Sequence, residues 1–398
     1  MIKKLNFAFY SFFVSVLIFV ILSFLTESCA DNPSSLGIKF INPSETLGVK
    51  TFDSYIDTMQ ITTSNIRLYI NTSSSGNLIV GKNSTYSSMG LVKFTGLPSN
   101  YDTSTVRNAV LKLQYRNYYY PVSSADSVGN IAFDVYTVQQ NLNYTGVTYD
   151  SINSTSFGTV SQGNYSGSPS HDTAKSNIIL NNTLVTNWLK YTHDTTFSVK
   201  NYGVVLMPNN SSTTLKGFYS GSTSSSVSPV LQITFTSNND TLNISSSQTV
   251  FLATTTINNP SDNFSLQAGI SYVDIIKFNT SKLSPLIIVN DARLILTIDP
   301  SHSVFTNQTK DSIAANFLTD TSYNFEPYSY IGALSANQFS LRVIAPFQRW
   351  IQGQNNYGLI LRCYNQYSDL DLFSIFKETA SDPSKRPRVI IKYSQRVP

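Results

Sequence analysis

The stretch Met89-Gly90-Leu91-Val92-Lys93-Phe94, followed by Val106-Arg107-Asn108-Ala109-Val110-Leu111-Lys112-Leu113, has a counterpart in the second half of the chain. There Val273-Asp274-Ile275-Ile276-Lys277-Phe278 is followed by Val289-Asn290-Asp291-Ala292-Arg293-Leu294-Ile295-Leu296. The Lys-to-Ala separation is 16 residues in one copy and 15 in the other. Apolar and polar residues alternate through Leu111, Leu113 and Tyr115 against Lys112 and Gln114, which is the period of a half-buried strand. Two such copies mean a duplicated β-module, and a duplication missed would misread the whole fold.

Further landmarks extend the match outward. Leu78-Ile79-Val80-Gly81 precedes the first copy as Leu266-Gln267-Ala268-Gly269 precedes the second. The only Trp residues, Trp188 and Trp350, lie at equivalent places, each followed by a Tyr-Gly strand opening at Tyr202-Gly203 or Tyr357-Gly358. Each copy closes on an apolar strand after Pro229 or Pro387. Short strands separated by Ser/Asn/Gly/Pro loops predict two tandem antiparallel, jelly-roll-like β-sandwiches, residues 50–237 and 246–398, joined by a linker at 238–245. Lys93, Phe94 and Trp188, with Lys277, Phe278 and Trp350, mark the repeated core. The i,i+4 spacing of Leu184 and Trp188, and Pro346 in a first helical turn, predict one short Trp-bearing helix per domain.

Composition agrees. Charged residues make up only 13% of the 398, while Ser, Thr and Asn together account for roughly a third, beside 24 Tyr and 24 Phe. Thr, Tyr, Val, Ile and Phe favour strands, and that much apolar surface argues against disorder. A net charge of +4 with no basic stripe argues against a nucleic-acid partner.

The start of the chain points to export. Lys3 and Lys4 precede an apolar run from Leu5 to Leu25, which reads as a signal peptide over residues 1–28. Leu25-Thr26-Glu27-Ser28-Cys29 resembles a lipoprotein signal of Bacteroidetes type, which implies lipid on Cys29 and a polar tether at 29–49. The expected location is the outer membrane or cell surface, with the lipid as the membrane contact. Cys363, in the apolar run Gly358–Cys363, is expected to be a buried, inert thiol.

The ordered landmarks resemble the DNRLRE-domain family, β-sandwich modules of secreted and cell-wall proteins. The shared pattern is a strand ending in Gly, an apolar Lys-Phe strand, an A-x-L-x-L strand, a Trp helix, a Gly-led strand and a Pro-led strand. Phe94-Thr95-Gly96-Leu97-Pro98 matches the family's turn better than Phe278–Leu283 does. The resemblance implies a binding or spacing role, because relatives include carbohydrate-binding modules.

Motifs for chemistry are weak. Gly76-Asn77-Leu78-Ile79-Val80-Gly81-Lys82 fits the spacing of a phosphate loop, but Asn83 stands where Ser or Thr should hold Mg²⁺, so no nucleotide is expected. His171, His193 and His302 have no second ligand at metal spacing. Asp53 with Asp57, and Asp369 with Asp371, supply too few of the six to eight oxygens that Ca²⁺ needs, so no metal or other cofactor is assigned and a structural Ca²⁺ stays open. With no catalytic motif, the expectation is a non-catalytic protein that binds an extracellular polymer, a glycan or an envelope protein, or serves in adhesion. A structural spacer is the alternative, and a carbohydrate-active enzyme a weaker one. Tyr118, Tyr119 and Tyr120, and Tyr323, Tyr328 and Tyr330, are the candidate glycan contacts, since Tyr offers a flat apolar face and a hydroxyl.

Overall fold

The alternation seen at Leu111–Tyr115 becomes the centre of a 15-residue strand, β5 (Val106–Tyr120), with Leu111, Leu113 and Tyr115 buried and Lys112 and Gln114 half-buried. The computed structural model describes residues 48–101, 106–123, 127–224, 226–236 and 240–395. The expected signal peptide, Cys29 and most of the expected tether therefore lie outside the described residues. From Thr51 onward the chain forms one compact unit.

The strands of the first half are β1 (Lys50–Asp53), β2 (Ile61–Arg67), β3 (Asn77–Lys82), β4 (Tyr86–Lys93), β5, β6 (Ile131–Thr137), β7 (Gly163–Gly167), β8 (Lys175–Leu180), β9 (Val204–Pro208), β10 (Leu215–Tyr219) and β11 (Val230–Phe235). Those of the second half begin with β12 (Thr241–Ser245), β13 (Gln248–Thr255), β14 (Asn263–Gln267), β15 (Tyr272–Phe278), β16 (Ile287–Thr297) and β17 (Ser312–Leu318). They continue with β18 (Phe325–Ser335), β19 (Gln338–Arg342), β20 (Leu359–Cys363), β21 (Leu372–Phe376) and β22 (Arg388–Gln395). Among the described residues the longer helices are α1 (Asn182–His193) and α2 (Ile344–Ile351). The fold is all-β with two antiparallel sandwiches, as the alternation predicts.

Each sheet has 11 strands and curls back on itself. One runs β12-β11-β5-β10-β3-β4-β9-β6-β7, with β13 on β4 and β8 on β5. The other runs β1-β22-β16-β19-β18-β17-β20-β15-β14-β21, with β2 on β15. The halves have traded their leading strands. β2 pairs with β15 from Ile61↔Phe278 to Arg67↔Tyr272, while its counterpart β13 pairs with β4 from Gln248↔Lys93 to Thr255↔Tyr86. β1 and β12 flank β22 and β11 in the same crossed fashion.

The exchange redraws the expected boundary. Thr241–Ser245, assigned to a linker, is the strand β12, and residues 50–237 and 246–398 do not each complete a sheet. Side chains cross with their strands. Ile244, Phe251 and Ala253 are buried in the first core, whereas Phe52, Met59 and Ile61 are buried in the second. Each such side chain contributes roughly 1.5–3 kcal/mol when fully buried, and Ala less, so neither core is complete without residues from the other half.

Both helices form where expected. Asn181 caps α1 by accepting from the Thr183 amide at 2.9 Å, and Leu184, Val185, Trp188 and Leu189 form its buried face. Pro346 lies in the first turn of α2, where its missing N–H is harmless. Trp350 stacks on Phe317, with ring centroids 5.7 Å apart, and meets the repeat residue Phe278 at 5.9 Å. Phe94 and Phe278 are core residues, but Lys93 and Lys277 are not. Lys277 is exposed, and Lys93 is half-buried with its ammonium over the Tyr144 ring, because alternate residues of a strand face opposite ways.

Candidate functional site: an aromatic groove beside the second helix

β18 carries the most exposed aromatic stretch of either sheet. It pairs with β17 along most of its length but with β19 only from Ala333 to Ser335, so among the described residues the other edge of its first half has no strand neighbour. The buried amide of Asn316 holds it in place, donating to the carbonyls of Glu326 and Tyr328 and to the Ser329 hydroxyl. Ser329 also accepts from Arg362 at 3.3 Å. That fixes Ser329 on one face and sets Tyr328 and Tyr330 on the other, toward α2.

Tyr328 is 66% exposed and Tyr330 half-buried, their rings edge to face at 5.0 Å. Arg349 of α2 closes the far wall: its Nη1 donates to Glu326 Oε1 at 2.6 Å, and its guanidinium lies 4.9 Å from the Phe317 ring centre. Arg342 donates to Asp291 at 3.0 Å on the rim. Glu326, Tyr328, Tyr330, Arg342, Ile344 and Arg349 line an open groove of about 710 Å³. Burial raises the Tyr330 phenol above its ordinary pKa, opposed by Arg349, so it stays a neutral hydroxyl. The groove thus offers two aromatic edges beside paired donors and acceptors, a chemistry suited to hydroxylated rings.

The two tyrosine clusters have different fates. Tyr328 and Tyr330 come together, while Tyr323 sits in the turn before β18 at φ 65°, outside the groove lining. Tyr118 is fully buried and cannot touch a ligand. Simple alternation from Tyr115 would point Tyr118 outward. A left-handed Asn117 (φ 49°) inserts a bulge, shifting the register between Gly217 and Phe218, and turns Tyr118 inward. Tyr120 packs edge-on against Tyr86 at 5.2 Å, and the Tyr119 amide donates to Asn307 Oδ1 at 2.8 Å.

Tyr118 instead joins the halves. Its hydroxyl donates to Asp369 Oδ1 at 3.0 Å, as do the Thr306 hydroxyl at 2.8 Å and the Leu370 amide at 2.7 Å. Asp371 accepts from the Thr306 amide at 3.1 Å and the Thr309 hydroxyl at 2.5 Å. Burial raises both carboxyls, and for Asp371 the neighbouring Asp369 charge raises it further. Among the alternate acids that suggested Ca²⁺, Asp369 Oδ1 and Asp371 Oδ1 are met here by hydroxyl and amide donors, while Asp369 Oδ2 is buried without a partner. Asp53 is held by Arg388, which keeps its carboxyl below the usual range, and Asp57 accepts from the Asp53 amide at 2.7 Å.

The remaining motifs resolve simply. Asn77–Lys82 is the strand β3. His302 bonds Asp299 at 2.7 Å, and His193 lies 3.1 Å from the Ser99 carbonyl. Cys363 is buried and its thiol is pushed up by burial, as for an inert core residue. Among the described residues no three His, Cys, Asp or Glu side chains come together, and no helix is long and apolar enough to cross a membrane.

No family model and no curated protein matches this chain. Among solved structures, it is similar to the VP2 subviral particle of infectious bursal disease virus at 11% identity and a TM-score of 0.14, covering 90% of this chain and 79% of that one. The Gx strain of the same virus gives 12% identity and a TM-score of 0.12 over 88% and 77%. Likeness at this level carries no argument about fold or function.

Proposed function

We propose that this chain is a non-catalytic lipoprotein of the outer membrane or cell surface, anchored through Cys29, that binds an extracellular polymer, a glycan, in the groove between β18 and α2. The observation that carries the proposal is the pair Tyr328 and Tyr330, presented on a strand with one unpaired edge beside the Arg349–Glu326 pair. A core would hide such rings, and a spacer would have no use for them. The duplicated landmarks support the DNRLRE-like reading of the modules. Retention of residues 30–398 on polysaccharide gels tests the function. Tyr328→Ala should weaken retention about 5- to 30-fold, since losing one sugar-stacking aromatic removes on the order of 1–2 kcal/mol, while the melting temperature stays unchanged. No retention of any polysaccharide by the intact chain would end the glycan reading.

The strand exchange favours a second reading, a structural spacer, because it joins the two modules through both cores. That role predicts a stable envelope-protein partner in pull-downs, indifferent to Tyr328→Ala.

A further inference from the structure

The most demanding buried charge lies outside the groove and the Asp369–Asp371 pair. Asp274, on β15, is fully buried; neither carboxylate oxygen has a well-formed hydrogen bond, and the Ser64 amide favours its charged form. It faces inward with Ile276 and Phe278, opposite Asn65 of the exchanged strand β2. The equivalent place in the first module is Gly90, where an added Cβ would strike Val80 and Leu78. There the space is aliphatic, so the fold itself does not require an acid.

The surroundings of Asp274 are rich in oxygen and poor in free donors. Glu378, which accepts from the Thr63 hydroxyl, lies near enough to raise Asp274 further above the ordinary carboxyl range, after burial itself. Asn65 spends its amide on the carbonyls of Ser265 (2.7 Å) and Val273 (2.8 Å). Asn259 gives its amide to the Ser265 hydroxyl and leaves its own Oδ1 unpartnered. Of the nearby cations, Lys377 lowers the Asp274 carboxyl through its charge but bonds the Ser261 carbonyl at 3.2 Å, and Arg67 turns to the Ile270 carbonyl among Tyr69, Tyr149 and Tyr272. Two carboxylates among acceptor oxygens call for a cation. An all-oxygen donor set suits a hard one.

We propose that Asp274 and Glu378, with neutral oxygens of Thr63 and Asn65, form a Ca²⁺ site that fastens the exchanged strand β2 to the second module. With two carboxylates, the affinity should fall in the roughly 10⁻⁴–10⁻³ M class of extracellular Ca²⁺ modules. Such binding links to stability by mass action.

The test is thermal unfolding of the full chain after chelation, with and without 10-fold-Kd Ca²⁺, alongside calorimetric titration with CaCl₂. Ca²⁺ should raise the melting temperature by about 2 °C, chelator should reverse it, and Mg²⁺ should give a smaller effect. Asp274→Asn should abolish both the heat of binding and the shift. Glu378→Gln, at a half-buried position, should weaken both if Asp274→Asn fails to fold. Asp369→Asn should keep them. No Ca²⁺ binding by the intact chain overturns the site, and so does a shift that survives both Asp274→Asn and Glu378→Gln. Either result leaves the glycan reading standing, because polysaccharide retention is read separately.

Discussion

Phe251→Ala should damage the module to which Phe251 does not belong in sequence. Phe251 sits on β13, fully buried in the first core, opposite Gly90 of β4. Its backbone is also tied to that module: the Thr72 hydroxyl lies 3.0 Å from its amide and 2.6 Å from its carbonyl. Truncating a fully buried Phe costs about 3–5 kcal/mol, from lost transfer energy and the cavity left behind. The upper part of that range applies here. Phe251 reaches within 3.3 Å of the place where a Cβ on Gly269 would sit, so its space is walled by backbone that cannot readily collapse. Urea unfolding should show a lower midpoint at nearly the same slope. Hydrogen exchange read by mass spectrometry should locate the weakening. Protection should fall in Tyr86–Lys93, far away in the chain, as well as in Gln248–Thr255. If lost protection is confined to the second half, with 86–93 as slow as in the parent, the exchanged-strand description is wrong.

Three further outcomes follow from the seam and the surface. Tyr118→Phe should destabilise the chain by about 1–3 kcal/mol, since it removes a donor from a buried carboxyl pair, and equilibrium denaturation measures it. Asp371→Asn should flatten the dependence of stability on pH. The folded carboxyl titrates well above its unfolded value of 3.8, so its contribution is complete below that value and is lost as pH rises through the folded one; melting curves from pH 4 to 9 should show the parent declining more steeply than the variant. Asp53→Ala should act with the opposite sign, because Arg388 lowers the Asp53 carboxyl. Its contribution is present above pH 3.8 and fades in acid, and with Arg388 42% exposed it should amount to less than about 1 kcal/mol at neutral pH.

What could be read from residues alone was local or periodic. The alternation through Leu111–Tyr115, the Trp spacing of both helices and the duplicated Lys-Phe strands depend on neighbours a few positions apart, and all are found as strands and helices in place. Tyr328 and Tyr330, picked out by aromatic crowding, do meet in one groove. Arg349, Glu326 and Asn316, which shape that groove, gave no signal, because they converge from α2, β18 and β17. The Gly90-to-Asp274 difference between the copies was open to inspection, yet only burial and the absence of well-formed hydrogen bonds make it significant.

The chain order by itself determined two β-modules with a Trp helix each. Only the tertiary structure decided which strands complete which module. β2 and β13 occupy equivalent repeat positions and offer the same kind of backbone ladder, so local pattern cannot choose between β4 and β15 as the partner of either. Three-dimensional packing makes that choice, through the fit of Phe251 beside Gly90 in one core and of Met59 and Ile61 in the other. The same holds for Tyr118, whose inward turn comes from a single left-handed residue, Asn117, that alternation does not foresee.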